Sequence, residues 1–191
     1  MQSISILFWS GGKDSLLALR ELEKQTDEIM LLTTFDELEG KVPHQEIGLN
    51  RIRQQAVYLE YPHLAVPLPN PCANEVYLER IAAQLELLPF EIGCLVFGDW
   101  HIEGIRNWRE EVFSEIGYKT VFPIWKVPLE KLLDRLFREK CIIKISNVEE
   151  RFAGDIQPGE IYNRDFIKKI PENIDFMGEN GDFHTEVVFP E

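Results

Sequence analysis

The sequence predicts an α/β fold: a doubly wound parallel sheet with a small C-terminal extension. Three observations carry this. Short apolar runs alternate with amphipathic helical segments from the N-terminus to about residue 148. The runs show little polar alternation, as expected of strands buried on both faces of a parallel sheet. The first run passes through paired glycines directly into a helix start, the strand–turn–helix step from which such folds are wound.

The elements follow in order. Ile4 to Phe8 reads as a buried strand and Ser10 to Ser15 as a glycine turn. The helix after it carries Leu16, Leu19 and Leu22 on one side and runs to about Lys24. Glu28 to Phe35 is a second buried strand, and Asp36 to His44 a polar loop. Leu49, Ile52, Ala56 and Leu59 mark a helix, His63 to Leu68 a short strand, and Leu78, Ile81, Ala82 and Leu85 another helix. Ile92 to Phe97 is the next strand, ended by Gly98-Asp99. Ile105, Trp108, Val112 and Ile116 give a helix closed by Gly117. A brief strand is expected at Thr120 to Phe122, a helix opened by Pro128, and at Cys141 to Val148 the last strand of the parallel series. The extension begins near Phe152, with a short helix between Tyr162 and Lys169, a glycine cluster at Gly178-Glu179-Asn180-Gly181-Asp182, and a strand at Phe183 to Phe189. The expected division is 1–150 for the main domain and 151–191 for the extension.

Chemistry concentrates at the first turn. Gly11 and Gly12 permit backbone angles closed to other residues and let a ligand approach the main chain. The helix beyond them presents unpaired N–H groups and a positive dipole end, which suits phosphate. Lys13 adds a charge, Ser10 and Ser15 add hydroxyls, and Asp14 can cap the helix or approach a metal. The spacing matches neither the Walker A loop nor the G-x-G-x-x-G dinucleotide turn.

Composition narrows the classes. The chain has 191 residues, 45% of them apolar, enough for one substantial core. No apolar run approaches the about 20 residues of a membrane span, and the chain enters its first strand without a signal segment. A net charge of −13 disfavours nucleic acid and membrane surfaces. Three cysteines, Cys72, Cys94 and Cys141, form no metal or disulfide pattern. Cys94 and Cys141 read as core and Cys72 as accessible, and the setting expected is reducing and cytoplasmic.

Ligands of an open parallel sheet bind beyond the carboxyl ends of the strands. Residues expected there are Ser10 to Ser15; Thr33, Thr34 and Phe35, suited to holding adenine through backbone groups; Gly98 and Asp99, with His101 and Arg106 beyond; and His44. In the tail, Gly178, Glu179, His184 and Thr185 bring a carboxylate, an imidazole and a hydroxyl to one glycine turn. His63 reads as structural.

Ser10-Gly11-Gly12-Lys13-Asp14-Ser15 resembles the loop of the PP-loop ATP pyrophosphatases. With His44, Gln55-Ala56, Phe97-Gly98-Asp99, Glu103, Arg106, Glu110, Pro123-Ile124-Trp125 and the tail Asp175 to Thr185, nearly the whole chain is similar to the diphthine–ammonia ligase family. The tail, rather than the loop, distinguishes that family within the superfamily. Met177 stands where the family usually has cysteine, Asp182 where it commonly has glutamate, and the segment between Val148 and Asp175 is shortened.

The resemblance implies a sheet of the adenine nucleotide alpha-hydrolase type, ATP and Mg²⁺ as cofactors, and an ATP-dependent amidation. A carboxylate attacks the α-phosphorus, pyrophosphate leaves, and ammonia or an amine displaces AMP. In the family the carboxylate belongs to diphthine on translation elongation factor 2, found in archaea and eukaryotes; a bacterial relative would use another acid, such as a small molecule. The roles implied are catalytic for Lys13, Asp99, Glu179 and His184; nucleotide-binding for Ser10 to Ser15, Thr33 to Phe35 and Gly98; substrate-binding for His44, Arg106, Gly178, Glu179 and Thr185; and metal-binding for Asp99 and Asp14. Two other classes compete: a PP-loop enzyme modifying a tRNA base, and a non-catalytic nucleotide-binding regulator. Assembly into a homo-oligomer is compatible with all three.

Overall fold

In the computed structural model, which describes residues 3–190, the elements run β1 (Ile4–Phe8), α1 (Lys13–Leu22), β2 (Ile29–Asp36), β3 (Lys41–Val42), β4 (Ile47–Gly48), α2 (Leu49–Tyr58), β5 (His63–Leu68) and α3 (Asn74–Glu86). There follow β6 (Ile92–Val96), α4 (Glu103–Glu115), β7 (Thr120–Val121), α5 (Leu129–Leu136), β8 (Ile142–Val148), a 3₁₀ turn (Glu150–Phe152), α6 (Arg164–Lys169) and β9 (Phe183–Val188).

Five strands make one parallel sheet in the order β5-β2-β1-β6-β7. Alternate residues of β1 enter opposite cores, which explains its apolar run. Leu7 and the adjoining Trp9 pack with α1, α2 and α5 through Leu16, Leu19, Ile52 and Leu132. Ile4 and Ile6 pack with α3 and α4 through Ile81, Leu85 and Phe113. Strand order reverses at β1, with β2 on one side and β6 on the other. The crevice beyond their carboxyl ends is where such sheets bind ligands, and the Ser10 to Ser15 turn lies there.

Two sequence expectations are corrected. The run at Cys141 to Val148 does not extend the parallel series. It forms β8, which pairs antiparallel with β9 in a separate two-stranded sheet, Ile143 opposite Val187 and Val148 opposite Phe183. An apolar run shows that a strand is buried but not which strand it pairs with, and here the partner lies in the tail. The polar loop after β2 contains the small β3–β4 hairpin, fastened where Val42 and Ile47 are buried. Residues beyond 150 share the α1-side core: Tyr162, Phe166, Met177, Phe183 and Val187 are buried there beside Leu16 and Leu136. Gly117, at φ +87°, closes α4. Among the described residues no helix is long and apolar enough to cross a membrane.

The contact that seats α1 on the sheet edge is backbone against backbone. A Cβ on Gly98 would lie 2.8 Å from the Asp14 carbonyl oxygen and 3.1 Å from the Ser15 nitrogen. Gly98→Ala is therefore expected to cost about 1–3 kcal/mol, read as a lower urea midpoint. An unchanged midpoint would show that the approach of α1 to β6 is looser than described.

Candidate functional site

The loop leaves β1 where the Trp9 N–H donates to Leu32 O at 2.7 Å. Gly11 sits at φ +81°, and a Cβ there would meet Ile52 Cδ1 at 2.5 Å and Gln55 Oε1 at 2.9 Å. Gly12 is the N-cap of α1 and, having no side chain, satisfies none of its N–H groups. The Ser15 hydroxyl donates to Gly12 O at 2.9 Å, while the Gly12 N–H reaches Ser10 Oγ at a long 3.4 Å. Asp14 and Ser15 lie in the first turn, where a helix supplies no acceptor for their N–H groups. The result is a shallow cup of donors at the positive end of α1.

The tail is built onto this cup. The Val187 N–H donates to Gly11 O at 2.8 Å, and the Lys13 N–H donates to Thr185 Oγ1 at 3.1 Å. The turn before β9 is set by Gly178, at φ +68°, where a Cβ would stand 2.5 Å from Phe183 O. Asp175 organises that turn by accepting the Met177 and Glu179 N–H groups at 2.8 and 3.2 Å. Buried Asp182 accepts the Asp175 N–H at 2.8 Å and lies 3.1 Å from Arg151 Nη2.

Lys13 differs from its expected posture. Its side chain is 3% exposed. The ammonium donates to the Asp14 carboxylate at 2.8 Å and to the Met177 carbonyl, with the Tyr162 and Phe183 rings each 5.9 Å away. A buried ammonium must find acceptors, and in this state the tail supplies one. Lys13 thus joins loop to tail here, and contact with phosphates requires it to release one of these partners.

Electrostatics draw the remaining predicted residues together. Burial pushes the Glu179 carboxyl up to about 8, reinforced by Asp14, Asp99 and Asp175 and opposed by Lys13. These groups therefore share one region around the loop. Burial, with His44 and Lys13 nearby, pushes His184 down to about 4. His184 is therefore a neutral imidazole at pH 7, because burial and neighbouring positive charge disfavour the cation. Its ring lies 5.8 Å from that of His44, an exposed residue at φ +67° whose carbonyl accepts from Asn147. Asp99 Oδ2 lies 2.8 Å from Arg109 Nε, yet neither atom makes a hydrogen bond, so the contact is an ion pair of poor angle. Burial raises the Asp99 carboxyl, and Arg109 opposes that shift.

Other predicted residues stand in varied relation to the cup. The Thr33 hydroxyl is taken, donating to Trp9 O at 2.6 Å and lying 3.0 Å from His63 Nε2. Thr33 and Phe35 turn their backbone groups to β5, as the Leu31 N–H bond to Pro62 O fixes by parity. Thr34 then faces the opposite way, past the end of β1, with N–H and C=O open toward the crevice. Arg106 is drawn outward: its guanidinium lies 4.8 Å from the Trp125 ring and 5.1 Å from the Phe122 ring, with Nε donating to Glu110 at 2.7 Å. His101 is exposed, and all three cysteines are half-buried, so the reading of Cys94 and Cys141 as full core is corrected. Two surface hollows of about 380 and 340 Å³ lie elsewhere, one against β7 and one beside Trp108, and neither contains a loop residue.

Gln55, Arg109 and Asp175 were not among the predicted site residues. Gln55 carried a signal, a polar residue on the apolar stripe between Ile52 and Ala56. Arg109 and Asp175 act through partners that spacing does not reveal. Among the described residues no group of three His, Cys, Asp or Glu side chains is placed to hold a metal. Mg²⁺ bound chiefly by phosphates and water needs only one or two carboxylates. Asp14 and Asp99 are the carboxylates available for that role, and each would have to loosen a present ion pair to serve, Asp14 with Lys13 and Asp99 with Arg109, both at 2.8 Å.

Sheet order, turn and helix start together define a PP-loop domain of the ATP-pyrophosphatase type. Residues 1–120 match the family described as diphthamide synthase N-terminal domain, and the chain belongs to that family. No curated protein matches it. Among solved structures, it is similar to a protein described as a predicted subunit of tRNA methyltransferase from Methanocaldococcus jannaschii, at 18% identity and TM-score 0.47, over 77% of this chain and 80% of that one. It is also similar to the U34-tRNA thiolase NcsA from Methanococcus maripaludis, a structure with its [4Fe-4S] cluster, at 16% identity and TM-score 0.43, over 72% of this chain and 57% of that one.

The titrations have opposite signs. Glu179 holds its proton in the fold up to about 8 but loses it near the ordinary 4.5 when unfolded, so its effect on stability worsens as pH rises between those values. His184 and His63, held down to about 4, improve stability as pH rises from about 4 to 6.5. Between pH 6.5 and 8 only the Glu179 effect remains of these three. Glu179→Gln should therefore flatten the decline of Tm across that window, gaining on the order of 1–2 kcal/mol at pH 8. An identical slope in the variant would show that Glu179 titrates as an ordinary carboxylate.

Proposed function

We propose that the protein is an ATP-dependent carbon–nitrogen ligase that adenylates a carboxylate and transfers the acyl group to ammonia or an amine. The observation that supports this reading is the seating of the tail turn on the loop, with Glu179 and His184 close enough to Lys13 for its charge to act on both. A domain that only bound nucleotide would need the cup but not a half-buried carboxyl and imidazole beside it.

The cup donors and the end of α1 receive the phosphates, and the Thr34 backbone receives the adenine edge. A Mg²⁺ arriving with ATP would be held by Asp14 and Asp99 and would offset charge on the departing pyrophosphate. In the first step a carboxylate oxygen bonds to the α-phosphorus and the α–β bridging bond breaks. In the second, ammonia bonds to the acyl carbon, the bond to AMP oxygen breaks, and one proton is released. Ammonia must be neutral to attack. A carboxyl held near 8 is mostly protonated at pH 7, but its ionised fraction is a stronger base than an ordinary carboxylate, so it takes the proton of ammonium increasingly as pH rises toward 8. His184, uncharged at that pH, orients the nucleophile through a ring nitrogen without repelling a cation. The acceptor is protein-bound diphthine or a small acid. Crowded carboxylates at the mouth favour an acid presented with a cationic neighbour.

The test is the product pattern. ATP, ammonium and a panel of carboxylates should give AMP and pyrophosphate in equal amounts, dependent on both the acid and ammonium. Glu179→Ala and His184→Ala should each lower amide formation at least tenfold while ATP still binds. ADP and phosphate as products, or full activity in both variants, would overturn the reading. Products formed only with tRNA as acceptor would replace it with base modification.

A further inference from the structure

We infer that Gln55 is a positioning residue for the anion cup: it fixes the Gly11–Gly12 peptide with its N–H turned toward the bound phosphates. The inference rests on the nucleotide reading above and assigns a role to a residue outside the cup itself.

Gln55 is 2% exposed and makes three hydrogen bonds. Its Oε1 accepts from Trp9 Nε1 at 2.8 Å; its Nε2 donates to Gly11 O at 3.2 Å and to Val187 O at 2.7 Å. The partners leave one amide orientation. The Trp9 indole can only donate and the two carbonyls can only accept, so the oxygen must face Trp9 and the nitrogen the carbonyls. The side chain therefore reads which way round the Gly11 carbonyl points.

A peptide is planar and trans, so its N–H points opposite to its C=O. Gly11 O is held from outside by Gln55 and by the Val187 N–H at 2.8 Å. The N–H of the same peptide, on Gly12, is thereby aimed to the inner side, toward Ser10 Oγ at 3.4 Å. That long contact leaves the donor available to an anion. Glycine at positions 11 and 12 makes a peptide flip easy, because both residues tolerate either hand of φ. A flipped peptide would present its carbonyl to the phosphates and repel them. Gln55 opposes this together with the Val187 N–H, while space beside Gly11 that a Cβ would need is filled by Ile52 and Gln55 itself.

The experiment titrates ATP, inorganic pyrophosphate and adenosine into the full chain. Gln55→Met keeps length and volume but removes both donors and the acceptor. Trp9→Phe leaves Gln55 in place but removes the bond that orients its amide. Gln55→Met should weaken ATP and pyrophosphate at least tenfold and Trp9→Phe at least threefold, with adenosine affinity unchanged in both. Equal weakening of adenosine, or ATP and pyrophosphate affinities within twofold of the unaltered protein, overturns the inference. Should Gln55→Met not fold, Trp9→Phe decides it by the same criteria. An unaltered protein that binds neither ATP nor pyrophosphate overturns the nucleotide reading, and this inference with it; unchanged binding in the variants overturns this inference alone.

Discussion

The structure depends on a strand from the end of the chain lying against a turn near its beginning. β9 reaches the loop through the Val187 N–H on Gly11 O and the Thr185 hydroxyl on the Lys13 N–H. Glycine at position 12 allows the approach, since a Cβ there would stand 2.9 Å from Thr185 O. Everything else at the site follows from this. The tail brings Glu179 and His184, closes over Lys13 with the Met177 carbonyl, and buries Phe183 and Val187 in the core that α1 and α5 share. Loop and tail are one structural unit although the contacts that join them span 164 residues or more.

This closeness sets the electrostatics. Lys13 is buried beside Asp14, and Glu179 feels Asp14, Asp99 and Asp175. These carboxyl groups are half-buried, so their charges interact more strongly than on the open surface. Asp99 is balanced by Arg109, which also stacks 4.3 Å from the Phe97 ring. Glu179 has no such counterion of its own and keeps its proton instead. The site is thus short of positive charge.

The sheet was legible because its signal is local. Ile4 to Phe8, Glu28 to Phe35 and His63 to Leu68 are apolar runs bounded by turn residues, and each forms a strand within a residue or two of its expected ends. Strand pairing was not legible in the same way. Nothing in Cys141 to Val148 distinguishes a sixth parallel strand from the antiparallel partner of Phe183 to Val188. The loop Ser10 to Ser15 was readable from its glycines, whereas the capture of Lys13 by Met177 O depends on a backbone carbonyl, which residue identity does not encode. The same holds for His184: the sequence supplies the imidazole, but its acid shift arises from burial that only the folded tail provides.

The central claim is that loop and tail form a single ligand site. Amide hydrogen exchange tests it with α,β-methylene-ATP, whose α–β linkage is not cleaved. The account requires that saturating analogue slow exchange in residues 11–15 and, with the same concentration dependence, in residues 177–187. Protection confined to the loop and β2, with the tail exchanging as in the free protein, would contradict it.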